Sequence, residues 1–216
     1  MRKIISVWFL IISSFVAVPA AAFEKMYPFG TWGEPIGNWS ILEHELFFEE
    51  WFGNQLRAMN EQPLWGASAS PLDITVIRLL VLPSFNNGTM VRVTLGPDRP
   101  TVYEFKRLSG AGGYEPGELI ETQTGQVSNE HLGQLAQKMK EISPFVGEIV
   151  IETTGSNCFD GTTVVFEFAR GAQYSAIERH ECSMPTNGPL RHFVHVLNNV
   201  SGQKLIYPET FEFLPK

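Results

Sequence analysis

Hydrophobic residues recur near the start of the chain with the three- and four-residue spacing of an amphipathic helix. Ser40 followed by Glu43 forms a capping-box pattern, which marks the first turn of a helix that we expect to run to about Asn60. The apolar residues predicted to share its buried face are Ile41, Phe48, Trp51, Phe52, Leu56 and Met59. The polar residues predicted to lie on its opposite face are Glu43, His44, Glu49, Glu50 and Asn54.

After this helix the pattern changes to the alternation that is typical of half-buried strands. Strands are predicted over residues 72–82, 89–95, 101–108 and 118–123. The sequence Asn86-Asn87-Gly88 predicts a tight hairpin turn, because Asn and Gly tolerate positive φ. The Gly-rich stretch Ser109–Gly117 is predicted to be a flexible loop. A helix follows over 129–142, with Ser128 as its cap and Pro144 as its stop.

The last third repeats this order. Strands are predicted over 146–153, 162–170 and 173–181, and then a helix that Asn187 caps and Gly202 ends, with 205–214 as an edge strand or tail. Two interpretations stay open: a duplication of two β-β-β-α units, over 72–144 and 145–216, or a coincidence of turn chemistry. In either case we predict an α+β fold of antiparallel β-hairpins, with helices packed on one face of the sheet and preceded by the N-terminal helix.

The first 22 residues have the pattern of a cleavable secretory signal peptide. Basic residues in Met1–Lys3 precede an apolar run over 4–18, and the small residues of Ala20–Ala22 follow. We therefore predict cleavage between Ala22 and Phe23, which makes residues 23–71 an aromatic-rich arm plus the N-terminal helix. The alternative is an uncleaved anchor, but the apolar run is shorter than the ~20 residues that a spanning helix needs. No second run of that length follows, so we expect no integral membrane segment in the mature chain.

Charge narrows the classes of partner. Without Arg2 and Lys3 the mature chain has 14 basic and 23 acidic residues, a net charge of −9 with neutral histidines. Phosphate backbones and anionic membranes need a basic surface, so the composition argues against both as main partners. A hydrophobic content of 44% is typical of a globular chain.

The chain has two cysteines, Cys158 and Cys182. An exported protein meets an oxidising periplasmic or extracellular compartment, so we predict a disulfide between them. The predicted hairpin places Cys182 opposite Gly161, with Cys158 three residues further along the incoming loop, which is within reach of disulfide geometry. The alternative is a reactive thiol at Cys182, beside His180.

Candidate chemistry is sparse. His180, Cys182, His192 and His195 are of the residue types that bind zinc, and they define the alternative of a hydrolase or zinc-binding protein. The usual structural-zinc spacings are missing, so we expect no metal and no cofactor. The preferred hypothesis is a non-enzymatic exported domain that binds a protein or an envelope component.

Overall fold

The computed structural model describes residues 25–33, 35, 38–66, 71–144, 160–185 and 187–203. Its helices are α1 (Ile41–Phe48), a π-helical segment (Glu49–Gly53), α2 (Asn54–Ala58), α3 (Asn129–Ile142) and α4 (Pro189–Ser201). We call the continuous stretch 41–58 the N-terminal helix. The strands are β1 (Thr75–Pro83), β2 (Asn87–Gly96), β3 (Arg99–Ala111), β4 (Leu119–Gln126), β5 (Thr162–Arg170) and β6 (Gln173–His180).

The six strands form one antiparallel sheet in the order β4-β3-β2-β1-β5-β6. β1 lies at its centre, where it pairs with β2 on one side and with β5 on the other. β5 and β6 form the predicted hairpin in the predicted register, with Arg170 opposite Gln173 and Phe166 opposite Ile177. The predicted α+β class and the antiparallel hairpins are therefore confirmed.

One face of the sheet is covered by α3 and α4. Ile77 and Leu79 of β1 and Phe166 and Phe168 of β5 point to this side and contact the apolar face of α4. Phe193 of α4 lies 6.1 Å from the ring of Phe166 and 5.8 Å from that of Phe168. This is the larger hydrophobic core, and its packing follows from the alternation of β5 against the helical spacing of α4.

The helices α3 and α4 thus share one face of the sheet as predicted, and the other face is covered by the N-terminal helix that precedes the strands. Phe52, Leu56 and Met59 are buried against Leu80 and Val165 of the sheet. The central strands have apolar side chains on both faces of the sheet, as is expected when both faces are covered by helices. None of the described helices has the length and apolar content needed to cross a membrane.

The π-helical segment changes which side of the N-terminal helix faces inwards. Phe52 and the residues after it are buried as predicted, but Ile41 is 51% exposed and His44 only 3% exposed. A π-helix closes its hydrogen bonds over five residues instead of four, which rotates the preceding turns relative to a regular helix. Ile41, which was predicted to be buried, is therefore exposed, and His44, which was predicted to be exposed, is buried.

Two further predictions need correction. The predicted loop at Ser109–Gly117 is partly strand, because β3 continues to Ala111, and the Gly112 amide donates to the carbonyl of Asn86 at 2.8 Å. The N-cap of α4 is Gly188 rather than Asn187. The signal peptide with its cut at Ala22 and Phe23, the strand predicted over 146–153, and the residues from 204 onwards lie outside the described residues. The division of the chain at residues 71 and 144 and the duplication stay predictions.

Candidate functional site

The N-terminal helix presents apolar side chains to solvent. Leu42, Leu46 and Phe47 of α1, together with Trp39 just before it, are each between 42% and 57% exposed. His44 and Glu45 of the same helix are buried. This is the reverse of the usual arrangement, in which the apolar stripe of a surface helix faces the core.

Two acidic residues, Glu45 and Glu49, point inwards because they bind the arm that precedes the helix. The backbone N–H groups of Met26 and Tyr27 donate to the Glu49 carboxylate at 3.0 and 3.2 Å. Glu45 accepts a 3.3 Å bond from the N–H of Trp32, and Arg57 forms an ion pair with Glu49. Met26 and Tyr27 are 2% exposed. The acidic side chains thus accept hydrogen bonds from backbone N–H groups of a buried segment. Because these bonds hold the acidic side of the helix inwards, its apolar side faces the solvent.

The exposed apolar residues continue from the helix to one end of the sheet. The ring of Phe47 lies 5.2 Å from that of Trp39 and 5.7 Å from that of Trp51. The Trp51 indole donates to the carbonyl of Gly112 at 2.8 Å, which ties the helix to the β3–β4 turn.

At that turn the ring of Tyr114 lies 6.3 Å from that of Phe85 in the β1–β2 turn, and both are exposed. We call this set the apolar surface. Its members are Trp39, Leu42, Leu46, Phe47, Trp51, Phe85 and Tyr114.

The turn beneath Tyr114 is held in place by close packing. A Cβ atom at Gly112 would lie 2.6 Å from the Cα of Leu82, closer than any side chain can approach. The Gln55 amide donates to the carbonyls of Gly112 and Tyr114, both at 3.3 Å. Two glycines thus let this turn lie directly on β1, since a Cβ at Gly113 would also reach Ser84 at 3.0 Å.

Acidic side chains lie among the apolar ones. Glu43 and Glu50 are exposed on the outer side of the N-terminal helix. Hydrogen bonds from the backbone and hydroxyl of Ser40 hold the pKa of Glu43 below its usual value, so this carboxylate is charged at neutral pH. The apolar surface therefore has a negative electrostatic character, in keeping with the charge of the whole chain.

A buried network of charges lies between the N-terminal helix and the sheet. Arg78 on β1 donates to both carboxylate oxygens of Glu167 on β5 at 2.7 Å, and both side chains are fully buried. Burial alone would lower the pKa of Arg78, but the negative charge of Glu167 outweighs the effect of burial and raises this pKa. The Tyr174 hydroxyl donates to the same carboxylate at 2.9 Å.

The second anion at the centre of this network is Glu61, which follows the N-terminal helix. Asn60 has a positive φ of 56°, and this reversal ends the helix and places Glu61 over the sheet. The Glu61 carboxylate accepts bonds from Lys106 at 2.6 Å, Arg92 at 2.8 Å and Arg78 at 3.2 Å. Arg92 and Lys106 also pair with Glu104. Three cations thus meet three carboxylates and fix the helix on its sheet.

A groove of about 550 Å³ lies near the β5–β6 turn, next to the Tyr174 end of this network. Its lining residues are Trp65, Gly66, Pro71, Leu72, Gly171, Ala172 and Tyr174. Tyr174 is the titratable side chain of this set. Its burial raises its pKa well above the usual value, and its hydroxyl is already bonded to Glu167. Among the described residues that line the groove, Tyr174 therefore has no second titratable group with which to form an acid–base pair.

The four residues proposed as zinc ligands do not all come together; His180 and Cys182 meet, but His192 and His195 lie elsewhere. His180 ends β6 and Cys182 lies in a 3-10 turn, where its Sγ is 3.3 Å from the His180 Nδ1. His192 and His195 lie on α4, which covers the opposite face of the sheet from His180. No cluster of three or more potential metal ligands occurs in the described part of the chain. Cys158 lies outside that part, so the disulfide with Cys182 stays a prediction.

Neither the apolar surface nor the charge network was predicted from the sequence. Leu46-Phe47-Phe48 was a usable signal for the surface, because three consecutive apolar residues cannot all face one side of a helix. Charged residues at the centres of apolar strands, as in Val76-Ile77-Arg78-Leu79, were the signal for the network. Neither a family model nor a curated protein matches this chain.

Proposed function

We propose that the mature chain is an exported, non-enzymatic binding domain that docks a protein partner through the apolar surface. The observation behind this proposal is the inverted N-terminal helix, which buries His44 and Glu45 and exposes Leu42, Leu46 and Phe47. Large exposed apolar patches with polar neighbours are typical of protein–protein contact sites. Export rests on the signal-peptide pattern of the first 22 residues.

Charge defines the chemistry of the partner. Glu43 and Glu50 lie beside the apolar residues, and the mature chain is strongly acidic. A complementary partner therefore presents apolar side chains with lysine or arginine around them. The acidic surface argues against an anionic lipid headgroup, because like charges repel at close range.

The surface has the composition of an interface with strong anchors. Trp39, Phe47 and Trp51 are aromatic, and their rings already contact one another, so little side-chain entropy is lost when a partner covers them. Aromatic residues at the centre of an interface commonly contribute about 2 kcal/mol or more each, which is about a thirtyfold change in affinity. We therefore expect Phe47→Ala to weaken partner binding by at least about tenfold.

Site-specific photocrosslinking in the cells that produce the protein tests this proposal. A photoreactive phenylalanine analogue replaces Phe47 in one variant and Ala136, an exposed residue of α3, in the control. We expect a discrete protein adduct from position 47 and none from position 136. The cross-linked protein, identified by mass, is then purified for binding measurements.

Binding constants with that purified protein complete the test. We expect Phe47→Ala to raise Kd, and Glu50→Lys to slow association in a salt-dependent way. The matched control is Glu130→Lys, which makes the same change of charge at an exposed position of α3 and should leave both quantities unchanged. Unchanged thermal midpoints would show that the variants are folded. Equal adducts at both positions, or a Kd that Phe47→Ala does not change, would refute the proposal.

A further inference from the structure

Three aromatic rings on the outer side of the N-terminal helix lie next to one another. Trp39 comes just before the helix and Trp51 lies one turn after Phe47, so the two indoles flank the Phe47 ring along the helix axis. The indole planes are inclined to the Phe47 ring by 71° and 61°. Phe47 is 42% exposed and Trp39 47% exposed. We call this arrangement of three rings the aromatic cleft.

The aromatic cleft is held in place by bonds outside it. The hydrogen bond from the Trp51 indole to the carbonyl of Gly112 fixes one side. On the other side, Trp39 is followed directly by Ser40, whose backbone N–H and hydroxyl donate to Glu43 Oε2 at 2.9 and 2.7 Å. A ligand therefore meets rings that are already positioned, so little conformational entropy is lost on binding.

Two carboxylates flank the central ring of the cleft. Glu43 lies four residues before Phe47 and Glu50 three residues after it, and this spacing places all three on one exposed stripe of the helix. Among the residues that the structure describes, Glu50 has no hydrogen-bond or ion-pair partner, and the bonds from Ser40 occupy only the Oε2 atom of Glu43. Two negative charges thus lie beside exposed aromatic rings.

The cations of the chain that contact aromatic rings do so elsewhere. Within the described ranges, Lys25 lies 5.9 Å from the ring centre of Phe29, and Arg107 lies 5.3 Å from that of Phe105. The cations closest to the N-terminal helix in its buried network, such as Arg57, are paired with acids on its inner side. The cleft therefore combines aromatic rings and carboxylates, which both attract a cation, without a described cation of this chain between them.

We propose that the aromatic cleft binds an arginine side chain of the protein partner. The guanidinium stacks on the Phe47 ring between the two indoles and donates hydrogen bonds to the carboxylates of Glu43 and Glu50. This inference rests on the proposed function and specifies which side chain the partner inserts into the apolar surface.

The chemistry of the cleft favours arginine over lysine. A guanidinium is planar and weakly hydrated, so it can stack on an aromatic ring while its N–H groups donate sideways to carboxylates. An ammonium group is compact and strongly hydrated, and it cannot make both kinds of contact in the same way. A cation over an exposed ring also binds more tightly than a neutral side chain of the same shape.

Titration with short peptides, followed by NMR of the mature chain, tests this inference. The probe is acetyl-Leu-Arg-Leu-amide, and the comparison peptides carry lysine or citrulline in place of arginine; citrulline has nearly the shape of arginine but no charge. We expect the arginine peptide to shift the indole N–H signal of Trp39 in a saturable way. The citrulline peptide should bind at least about fivefold more weakly, and the lysine peptide at least about twofold more weakly.

Variants show whether the preference for arginine arises in the cleft. Phe47→Leu keeps an apolar side chain but removes the ring, so it should reduce the ratio between the arginine and citrulline affinities to about twofold or less. Glu50→Gln should also reduce this ratio, because it removes one of the two charges. Glu130→Gln is the matched control on α3, where the same change at an exposed position should leave the ratio unchanged.

The outcomes separate this inference from the proposed function. Equal affinities for the arginine and citrulline peptides would overturn the arginine site, although partner binding through the apolar surface would still stand. A Trp39 signal that does not shift even at about 20 mM arginine peptide would also overturn it. Photocrosslinking at position 47 tests the proposed function without any of these peptides, so the two can fail independently.

Discussion

Replacing Glu61 with glutamine tests whether the buried charge network stabilises the fold. The Glu61 side chain is fully buried and bonds to Lys106, Arg92 and Arg78. Glutamine has nearly the same shape but no charge, so it leaves three cations facing the two carboxylates of Glu104 and Glu167. Removing one partner of a buried ion pair typically costs about 3–5 kcal/mol, because the remaining charge is left uncompensated. Since glutamine retains one acceptor oxygen, we expect a loss of about 3 kcal/mol.

Urea unfolding measures this loss directly. A small domain has a total stability of about 5–15 kcal/mol, so a loss of this size is large. With a slope of about 1–3 kcal/mol/M, the midpoint should fall by roughly 1–3 M urea while the slope stays unchanged. Glu141→Gln is the matched control, because Glu141 pairs with Lys138 on the exposed side of α3 and such pairs contribute about 1 kcal/mol or less.

The pH dependence distinguishes an electrostatic effect from a packing defect. Burial would raise the pKa of Glu61, but Arg92, Arg78 and Lys106 outweigh it and lower the pKa. Because the folded pKa lies below the unfolded value of about 4.3, this stabilisation is present above that pH and is lost as the pH falls through the folded pKa. The gap between wild type and Glu61→Gln should therefore close in acid. A loss below about 1 kcal/mol at neutral pH, or a gap that does not change with pH, would refute this reasoning.

Substitutions at single positions give three further tests. Gly112→Ala should destabilise the fold by more than about 1 kcal/mol in urea unfolding, because the added Cβ would clash with the backbone of β1. Its control is Gly133→Ala in α3, where the added Cβ meets no atom within 4 Å and should stabilise the fold by about 0.5–1 kcal/mol. Burial raises the pKa of Glu178, so its charge opposes folding, and Glu178→Gln should raise the urea midpoint at pH 7 but not in acid, where the wild type is also neutral. The intact mass of the exported protein should show that the first 22 residues are missing and that no thiol can be alkylated until the Cys158–Cys182 disulfide is reduced. A thiol that becomes free only in the Cys158→Ser variant would support the disulfide. Free thiols in the wild type before reduction would instead favour a reactive thiol at Cys182.

Local signals predicted the parts of the fold that depend on local physics. The clean alternation of β5 and the spacing to its partner strand fixed the bounds and register of the β5–β6 hairpin. The side chain of Ser128 accepts the N–H of His131, and the helix begins where this cap predicts. Elements bounded by a cap or a tight turn are therefore recoverable from sequence, because the deciding interactions lie within a few residues.

The charge network could not be predicted in the same way, because its partners are distant in sequence. Arg78 and Glu167 are 89 residues apart and meet because β1 and β5 pair in a register that places them directly opposite. Arg92 on β2 lies opposite Arg78 on the other side, and Glu104 on β3 lies opposite Arg92. One row of charges thus crosses four strands, and a shift of any strand by one residue would move its member to the other face.

The same network explains why the apolar surface is compatible with a stable domain. A single exposed leucine or phenylalanine is ordinary on a protein surface, but the N-terminal helix exposes Leu42, Leu46 and Phe47 while it buries His44 and Glu45. Its inner side is anchored by Phe52 and Leu56 and, just past its end, by the ion pairs of Glu61. Because this anchoring does not involve Leu46 or Phe47, the outer face of the helix is not needed to hold it in place. An apolar composition that folding does not require is the strongest reason to assign this face to binding.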